Sequence, residues 1–387
     1  MKILIISPYF APYTGVGALR MTSLAQYLVD KKEQVTIIKI ANDCLPPELN
    51  QGSACRGLTI LEYNDRAKSQ KLVEKRLVDL IDSLCTKEHY DCCVVSCGPY
   101  YTLRPALHVK KKYGVKLIID YRDLWLYDPR PHSSIRAMLG KLKERILNGY
   151  LEYKAMDICD AFISVSPRSV QSMIKHYPQI KQKAFCIYNG YTYTNILQCQ
   201  TEHKAFNAES INICFLGKFA YYSIHNAEIF LSAIKELQES FNLNVIHIGQ
   251  LENIDPILNK IGLPKQYLHQ LGPMPYEEAI QTASKISDIF GLIVSYTEGL
   301  GTKIYDYIML NKPLIIIAPP NSEIEELVSD AEYGFVCHNK LDIKNAITKI
   351  IEHKHTRLTA DLNYIQKFSR DTQNKLFYDI ISKICED

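Results

Sequence analysis

The chain has 387 residues, of which 47% are apolar and 22% charged; that is enough for two domains of ordinary size and excludes a disordered or low-complexity protein. No run approaches the ~18 uncharged apolar residues of a membrane-spanning helix, and Met1–Pro8 is too short and too soon interrupted to read as a secretory leader. The net charge of +3 hides a division, because residues 1–204 hold 29 Lys/Arg against 19 Asp/Glu and the remainder 16 against 23. A basic half beside an acidic half suggests unlike partners, with unequal solvated surfaces as the plain alternative.

From the N-terminus, Ile3–Ile6 reads as a strand, followed by an amphipathic helix near Gly17–Val29 and a strand at Gln34–Ile40. Further strands fit Thr59–Tyr63, Cys92–Ser96, Lys116–Asp120, Ala161–Val165 and Ala184–Ile187, with helical periodicity between them. The second half repeats the plan, with strands at Asn212–Leu216, Asn244–Ile248, Tyr267–Leu271, Ile289–Val294 and Leu314–Ile317. Helices fit Ala227–Glu239, Pro275–Ala283, Thr302–Leu310 and Ser322–Ser329. Short apolar strands alternating with helices predict two Rossmann-like, doubly wound parallel-sheet domains facing a cleft. The expected domains are 1–200 and 201–371, with Gln198–Ser210 as linker, and a final helix in 372–387 that could pack on either domain.

Twelve cysteines lie inside apolar runs with no CxxC pair and no zinc spacing. They read as buried reduced thiols, which points to the cytoplasm. The eleven histidines form no HExxH or triad arrangement, so none is given a catalytic role and no metal site is expected. His225, His247 and His269 read as core or surface residues.

Candidate chemistry gathers where strands end. Between the first strand and helix, Ser7–Gly17 places Gly15 and Gly17 where backbone can approach a ligand, with Arg20 one turn later. A nicotinamide fingerprint needs GxGxxG there; Gly15-x-Gly17-x-x-Arg20, after a long proline-rich loop, argues against one. Gly98 follows another strand. Asp120, Arg122 and Asp123 end a third, where they either bind hydroxyl groups or pair internally to shape the loop. Lys218, just past Asn212–Leu216, can meet a diphosphate as a point charge. Thr297–Asp306 is the most informative stretch: a glycine-bearing turn into a helix start, bracketed by Glu298 and Asp306 and carrying Lys303. Such a turn offers backbone N–H groups and a positive helix end to phosphate oxygens. Finally, Arg136–Met156 alternates basic and apolar residues, with Lys110-Lys111-Lys112 nearby. It reads either as a peripheral contact with anionic membrane or as an ordinary helix with a solvated basic face.

Together these residues resemble a GT-B glycosyltransferase, specifically family 4 of the retaining enzymes, over essentially the whole chain. The resemblance rests on Gly15–Gly17 with Arg20, Asp120–Trp125, Tyr188-Asn189-Gly190-Tyr191, Gly217-Lys218, and Glu298-x7-Asp306, which is similar to the family's EX7E motif. It implies that Glu298 binds donor-sugar hydroxyls and that Asp306 takes the ribose hydroxyls. Gly299, Leu300, Gly301 and Thr302 would offer N–H groups to the diphosphate, with Lys303 and Lys218 neutralising it. Gly15 and Gly17 would approach the reacting centre from the first domain and Asp123 would contact sugar hydroxyls there, with Arg20, Asp120, Arg122 and Gly98 as acceptor-side candidates. Two departures stand out: aspartate replaces the second glutamate, and Ser223 stands where the family has a second basic residue. The expected reaction is metal-independent transfer from a nucleotide-sugar co-substrate, expected to be a UDP-sugar, to a glycan or lipid-linked hydroxyl. It would serve surface polysaccharide or glycolipid assembly at the inner face of the cell membrane, with no further cofactor and no nucleic acid. A nucleotide-sugar epimerase or hydrolase on the same fold, and a non-catalytic nucleotide-sugar-binding protein, remain the alternatives.

Overall fold

The computed structural model describes residues 1–50, 52, 53, 55–67, 69–128, 135–192, 210–329, 334–353 and 358–386. Apart from Ser210, the expected linker lies outside the described residues. The chain forms two compact units, Met1–Asn189 with Arg370–Asp387, and Gly190–Ser369.

The first unit runs β1 (Lys2–Ile6), α1 (Val16–Asp30), β2 (Gln34–Ile40), β3 (Thr59–Tyr63), α2 (Gln70–Cys85), β4 (Cys92–Cys97), α3 (Leu103–Tyr113), β5 (Lys116–Tyr121), α4 (Ile135–Ile158), β6 (Ala161–Ser164), α5 (Pro167–His176) and β7 (Ala184–Cys186). Its seven strands are all parallel, in the order β3-β2-β1-β4-β5-β6-β7. The strand sequences are apolar on both sides because both faces are covered. Alternate residues separate cleanly: Leu4, Ile6, Cys93, Val95, Leu117 and Ile119 pack on one face, with Leu77, Leu103 and Leu151 of α2, α3 and α4. Ile3, Ile5, Cys92, Val94 and Ile118 pack on the other, with Met21 and Leu24 of α1.

The second unit runs β8 (Ile211–Leu216), α6 (Ile224–Leu237), β9 (Leu243–Ile248), α7 (Asp255–Ile261), β10 (Leu268–Gly272), α8 (Tyr276–Ile286), β11 (Ile289–Ile293), α9 (Lys303–Leu310), β12 (Leu314–Ile317), α10 (Glu323–Val328), β13 (Gly334–Cys337), α11 (Lys340–Glu352) and α12 (Leu362–Lys367). Its six parallel strands take the order β10-β9-β8-β11-β12-β13. The chain returns to the first unit as α13 (Arg370–Glu386), whose Phe377 and Ile381 complete the core beside α1.

Strand β13 was not legible in the sequence. It is a four-residue edge strand with one fully buried side chain, Cys337, too short and too lightly buried to carry a period-two signal. The described cysteines are all unbridged thiols. Among the described residues no helix is long and apolar enough to cross a membrane.

Both sheets reverse their strand order once, between β1 and β4 and between β8 and β11. In open parallel sheets ligands bind outside the carboxyl ends of the strands at such switch points. The loops after these four strands are therefore where chemistry is expected.

Candidate active site

In the second unit the loops after β8 and β11 meet. Gly217 follows β8 with φ +80°, and a Cβ there would lie 1.6 Å from Lys303 Nζ. Glycine is required twice over, by the backbone and by the lysine stem occupying its side-chain space. Beneath it, Gly249 after β9 leaves no room either, since a Cβ would sit 2.0 Å from the Gly217 carbonyl oxygen. His247, fully buried on β9, donates Nε2–H to that carbonyl at 2.5 Å. Glu252 fixes the rest of the loop, accepting the N–H groups of Phe219 and Ala220 at 2.7 and 2.8 Å. A backbone clash cannot be relieved by a rotamer change. Gly249→Ala is therefore expected to destabilise the protein by about 1–3 kcal/mol, read as a melting temperature lowered by several degrees; unchanged melting would refute the close approach.

Lys303 opens α9 half-buried in this cradle. Burial pushes its ammonium down from 10.5 to about 8, with Lys218 acting in the same direction and Asp306 and Glu252 opposing. Lys218 lies with Nζ 3.5 Å from the ring centre of the exposed Tyr221. Ser223, one of the two departures noted in the sequence, caps α6 by accepting the Asn226 N–H at 3.1 Å. The cations brought to this point are thus Lys303 at the start of α9 and Lys218 on the loop after β8.

The turn from Glu298 to Thr302 connects β11 to α9. Gly299 has φ +94°, and its N–H is donated to Glu323 Oε2 at 2.7 Å. This corrects one expectation: Gly299 supplies the bend, while its N–H is taken by a buried carboxylate and is not offered to a diphosphate. Glu323 in turn donates its own N–H to the Thr297 carbonyl at 2.7 Å, so the start of α10 braces the turn. Among the described residues no partner takes the N–H groups of Leu300, Gly301 and Thr302. Glu298 is partly exposed on the turn. Asp306, one helical turn beyond Lys303, accepts the Tyr276 hydroxyl at 2.6 Å from the first residue of α8.

In the first unit, Arg122 organises the loops after β1, β4 and β5. Its guanidinium donates to the Gly98 carbonyl at 2.7 Å and lies 5.9 Å from the Tyr9 ring centre. A Cβ on Gly17 would be 2.6 Å from its Nη1. Gly98 has φ +107°. Gly15 leaves the space into which the Tyr13 ring folds, 2.3 Å from where a Cβ would be, and Tyr13 stacks on Tyr9 at 5.5 Å. Asp123, beside Arg122 on the loop after β5, stands exposed, and its carbonyl accepts the Tyr100 hydroxyl at 2.6 Å.

Arg20 and Asp120 are a second correction. Asp120 is 0% and Arg20 6% exposed. They form a two-pronged pair, with Nη2 and Nε donating to the carboxylate at 2.9 and 3.1 Å. Arg20 Nη1 donates to the Tyr188 carbonyl at 2.8 Å, and the guanidinium lies 5.8 Å from the Phe377 ring. Both groups are consumed inside the fold and are not acceptor contacts. Glu252, Tyr276 and Glu323 escaped the sequence reading because each bonds a group distant in sequence. Only Glu323, beside Ser322 at a helix start, left a local trace.

Among the described residues, no three or more His, Cys, Asp or Glu are grouped to hold a metal ion. Residues 200–367 match the family model described as glycosyl transferases group 1. No curated protein matches the sequence. Solved structures do match over full length. A glycosyltransferase from Rickettsia africae is 16% identical with a TM-score of 0.73, covering 100% of this chain and 99% of its own. A sucrose-phosphate synthase from Thermosynechococcus elongatus is 14% identical at 0.68, over 99% and 98%. Anabaena HepE, solved with UDP, is 14% identical at 0.68, over 99% and 100%. The fold is GT-B, two parallel-sheet α/β units, and over residues 200–367 the chain carries the sequence pattern of the group 1 glycosyl transferases, which together support a glycosyl transfer function.

Proposed function

We propose that the protein is a retaining glycosyltransferase of family 4 type. It would move a hexosyl or N-acetylhexosaminyl group from a nucleoside-diphosphate sugar, a UDP-sugar in the first instance, to an acceptor hydroxyl in surface polysaccharide or glycolipid assembly. The observation that carries this reading is the Lys303 ammonium, half-buried at the β8/β11 switch point in a cradle that only glycine permits at Gly217. A cation desolvated at that location is suited to an anion.

Departure of the nucleoside diphosphate builds negative charge on its β-phosphate and oxocarbenium character on the sugar. Lys303, Lys218 and the N–H groups of Leu300, Gly301 and Thr302 stabilise the first, and preorganised groups of this kind supply the largest catalytic contribution. Glu298 holds sugar hydroxyls, and Asp306, set by Tyr276, takes the ribose. The acceptor oxygen bonds to the anomeric carbon as the bond to the phosphate oxygen breaks, and the acceptor's hydroxyl proton passes to the departing phosphate oxygen. Because lysines neutralise the diphosphate, transfer proceeds in chelator.

A thermal-shift screen against UDP-, GDP-, ADP- and CMP-sugars identifies the donor class, and labelled donor then reports products with and without acceptor in EDTA. Glu298→Gln is expected to lower transfer about tenfold to a hundredfold, the worth of charge-assisted hydrogen bonds, with UDP affinity retained. Conversion without acceptor identifies an epimerase or hydrolase. Donor binding with no turnover for any acceptor identifies a binding protein, and strict metal dependence would count against the proposed mechanism.

A further inference from the structure

We infer that the outward face of α4 is a docking surface for an anionic lipid bilayer. The helix is anchored at its C-terminal half, where Leu151, Ala155 and Met156 are buried. There Glu152 accepts the hydroxyls of Tyr121 and Tyr177 at 3.2 and 2.6 Å. Its N-terminal half is tied down on one side by polar bonds. Glu144 accepts Trp125 Nε1–H, and Arg145 Nε donates to the Leu126 carbonyl, each at 2.6 Å.

The opposite side is apolar and open. Ile135, Met138, Leu139, Leu142, Ile146 and Tyr150 recur at three- and four-residue spacing and so form one stripe. Each is between 53% and 76% exposed. A surface helix of a soluble domain turns its apolar stripe inward; this one turns it out. A contiguous exposed stripe of this length marks an interaction site.

Charge selects the occupant. At about 100° per residue, the exposed Arg136 and Lys143 fall along one edge of the stripe, in line with Lys154, which pairs with Asp157 at 3.5 Å, and the exposed Arg145, bonded through Nε to Leu126, falls along the other. Glu144 is the one carboxylate in residues 135–150, and it is held by Trp125 and, at 3.4 Å, by Lys141. A second copy of the chain docking through the same patch would bring basic edges together. An anionic bilayer complements both edges, with the stripe entering the headgroup–acyl boundary and the basic groups at phosphate level. Each basic residue then adds about fivefold in affinity.

The contact also has a route to the chemistry. Trp125, bonded to Glu144, stacks on Tyr100 at 4.8 Å, and the Tyr100 hydroxyl holds the Asp123 carbonyl. A bilayer-seated α4 therefore braces the loop that carries Asp123 beside lipid-borne hydroxyls. Lipid binding stands on α4 alone, and it is measured without donor or acceptor, so its failure leaves the glycosyl transfer reading untouched.

The test is flotation of the full chain with vesicles of phosphatidylcholine alone and of phosphatidylcholine with phosphatidylglycerol. Two double variants are compared, Leu139→Asp with Ile146→Asp, and Arg136→Glu with Lys143→Glu. All four side chains are exposed, and melting curves verify that the variants fold. The native chain is expected to float with the anionic vesicles only, less so as salt rises, and each variant to lose about tenfold or more in binding. Absence from the lipid fraction at low salt, or flotation that neither variant weakens, would overturn the inference. Self-association of the native chain that the aspartate variant abolishes would instead give the face to a second copy.

Discussion

Replacing Lys303 by alanine is expected to lower transfer about 10²- to 10³-fold, the usual effect of removing one preorganised charge-stabilising donor. It should also weaken UDP binding by about 1.5–3 kcal/mol. The pH dependence makes the assignment specific. Burial holds this ammonium at about 8 in place of 10.5, so in the unliganded protein it loses its charge as pH rises through 8. UDP affinity should therefore fall above pH 8 in the native protein and stay flatter in Lys303→Ala. Stability moves the other way. Between about pH 8 and 10.5 an unfolded chain keeps the lysine proton that the folded chain has released. The unfolded state then binds more protons, and the lysine's contribution to stability rises with pH across that window. Calorimetric UDP titrations and urea unfolding at several pH values read the two slopes. Equal slopes in native and variant protein would remove Lys303 from the phosphate site.

Arg20→Ala is expected to destabilise the protein by about 3–5 kcal/mol, the effect of leaving a buried carboxylate without its partner. Asp120 has no exposed surface, and the guanidinium also joins the Tyr188 carbonyl and the Phe377 ring of α13. Arg20→Lys should recover only part of the loss, because an ammonium cannot reproduce a forked pair. Urea unfolding of the three proteins decides the point. A transfer defect at unchanged stability would return Arg20 to the acceptor side.

These two positions show how differently chemistry and scaffold were written in the sequence. The strand-to-helix turn that carries Glu298, Lys303 and Asp306 was legible because a glycine turn between a strand and a helix is a local event, and the three side chains lie within nine residues. The same local logic misplaced Arg20 and Asp120. They stand a hundred residues apart and read separately as strand-end and helix residues near ligand. Only the parallel pairing of the sheet, which sets β5 two strands from β1, brings α1 and Asp120 together. Gly299 was misread for a related reason. The carboxylate that takes its N–H comes from α10, beyond another strand.

The amino-acid sequence by itself determined the alternation of apolar strands with helices, the two-domain parallel α/β class and the Glu298–Asp306 turn, because each rests on periodicity or on spacing within a few residues. Tertiary structure alone decided which charges remain available to a ligand, since that depends on partners distant in the chain. It also decided which side of α4 meets water. Periodicity gives a helix an apolar stripe, but whether that stripe faces a core or solvent is fixed by what else packs there. In α4 the polar bonds to Trp125 and Leu126 hold the opposite side, and the stripe is left outward.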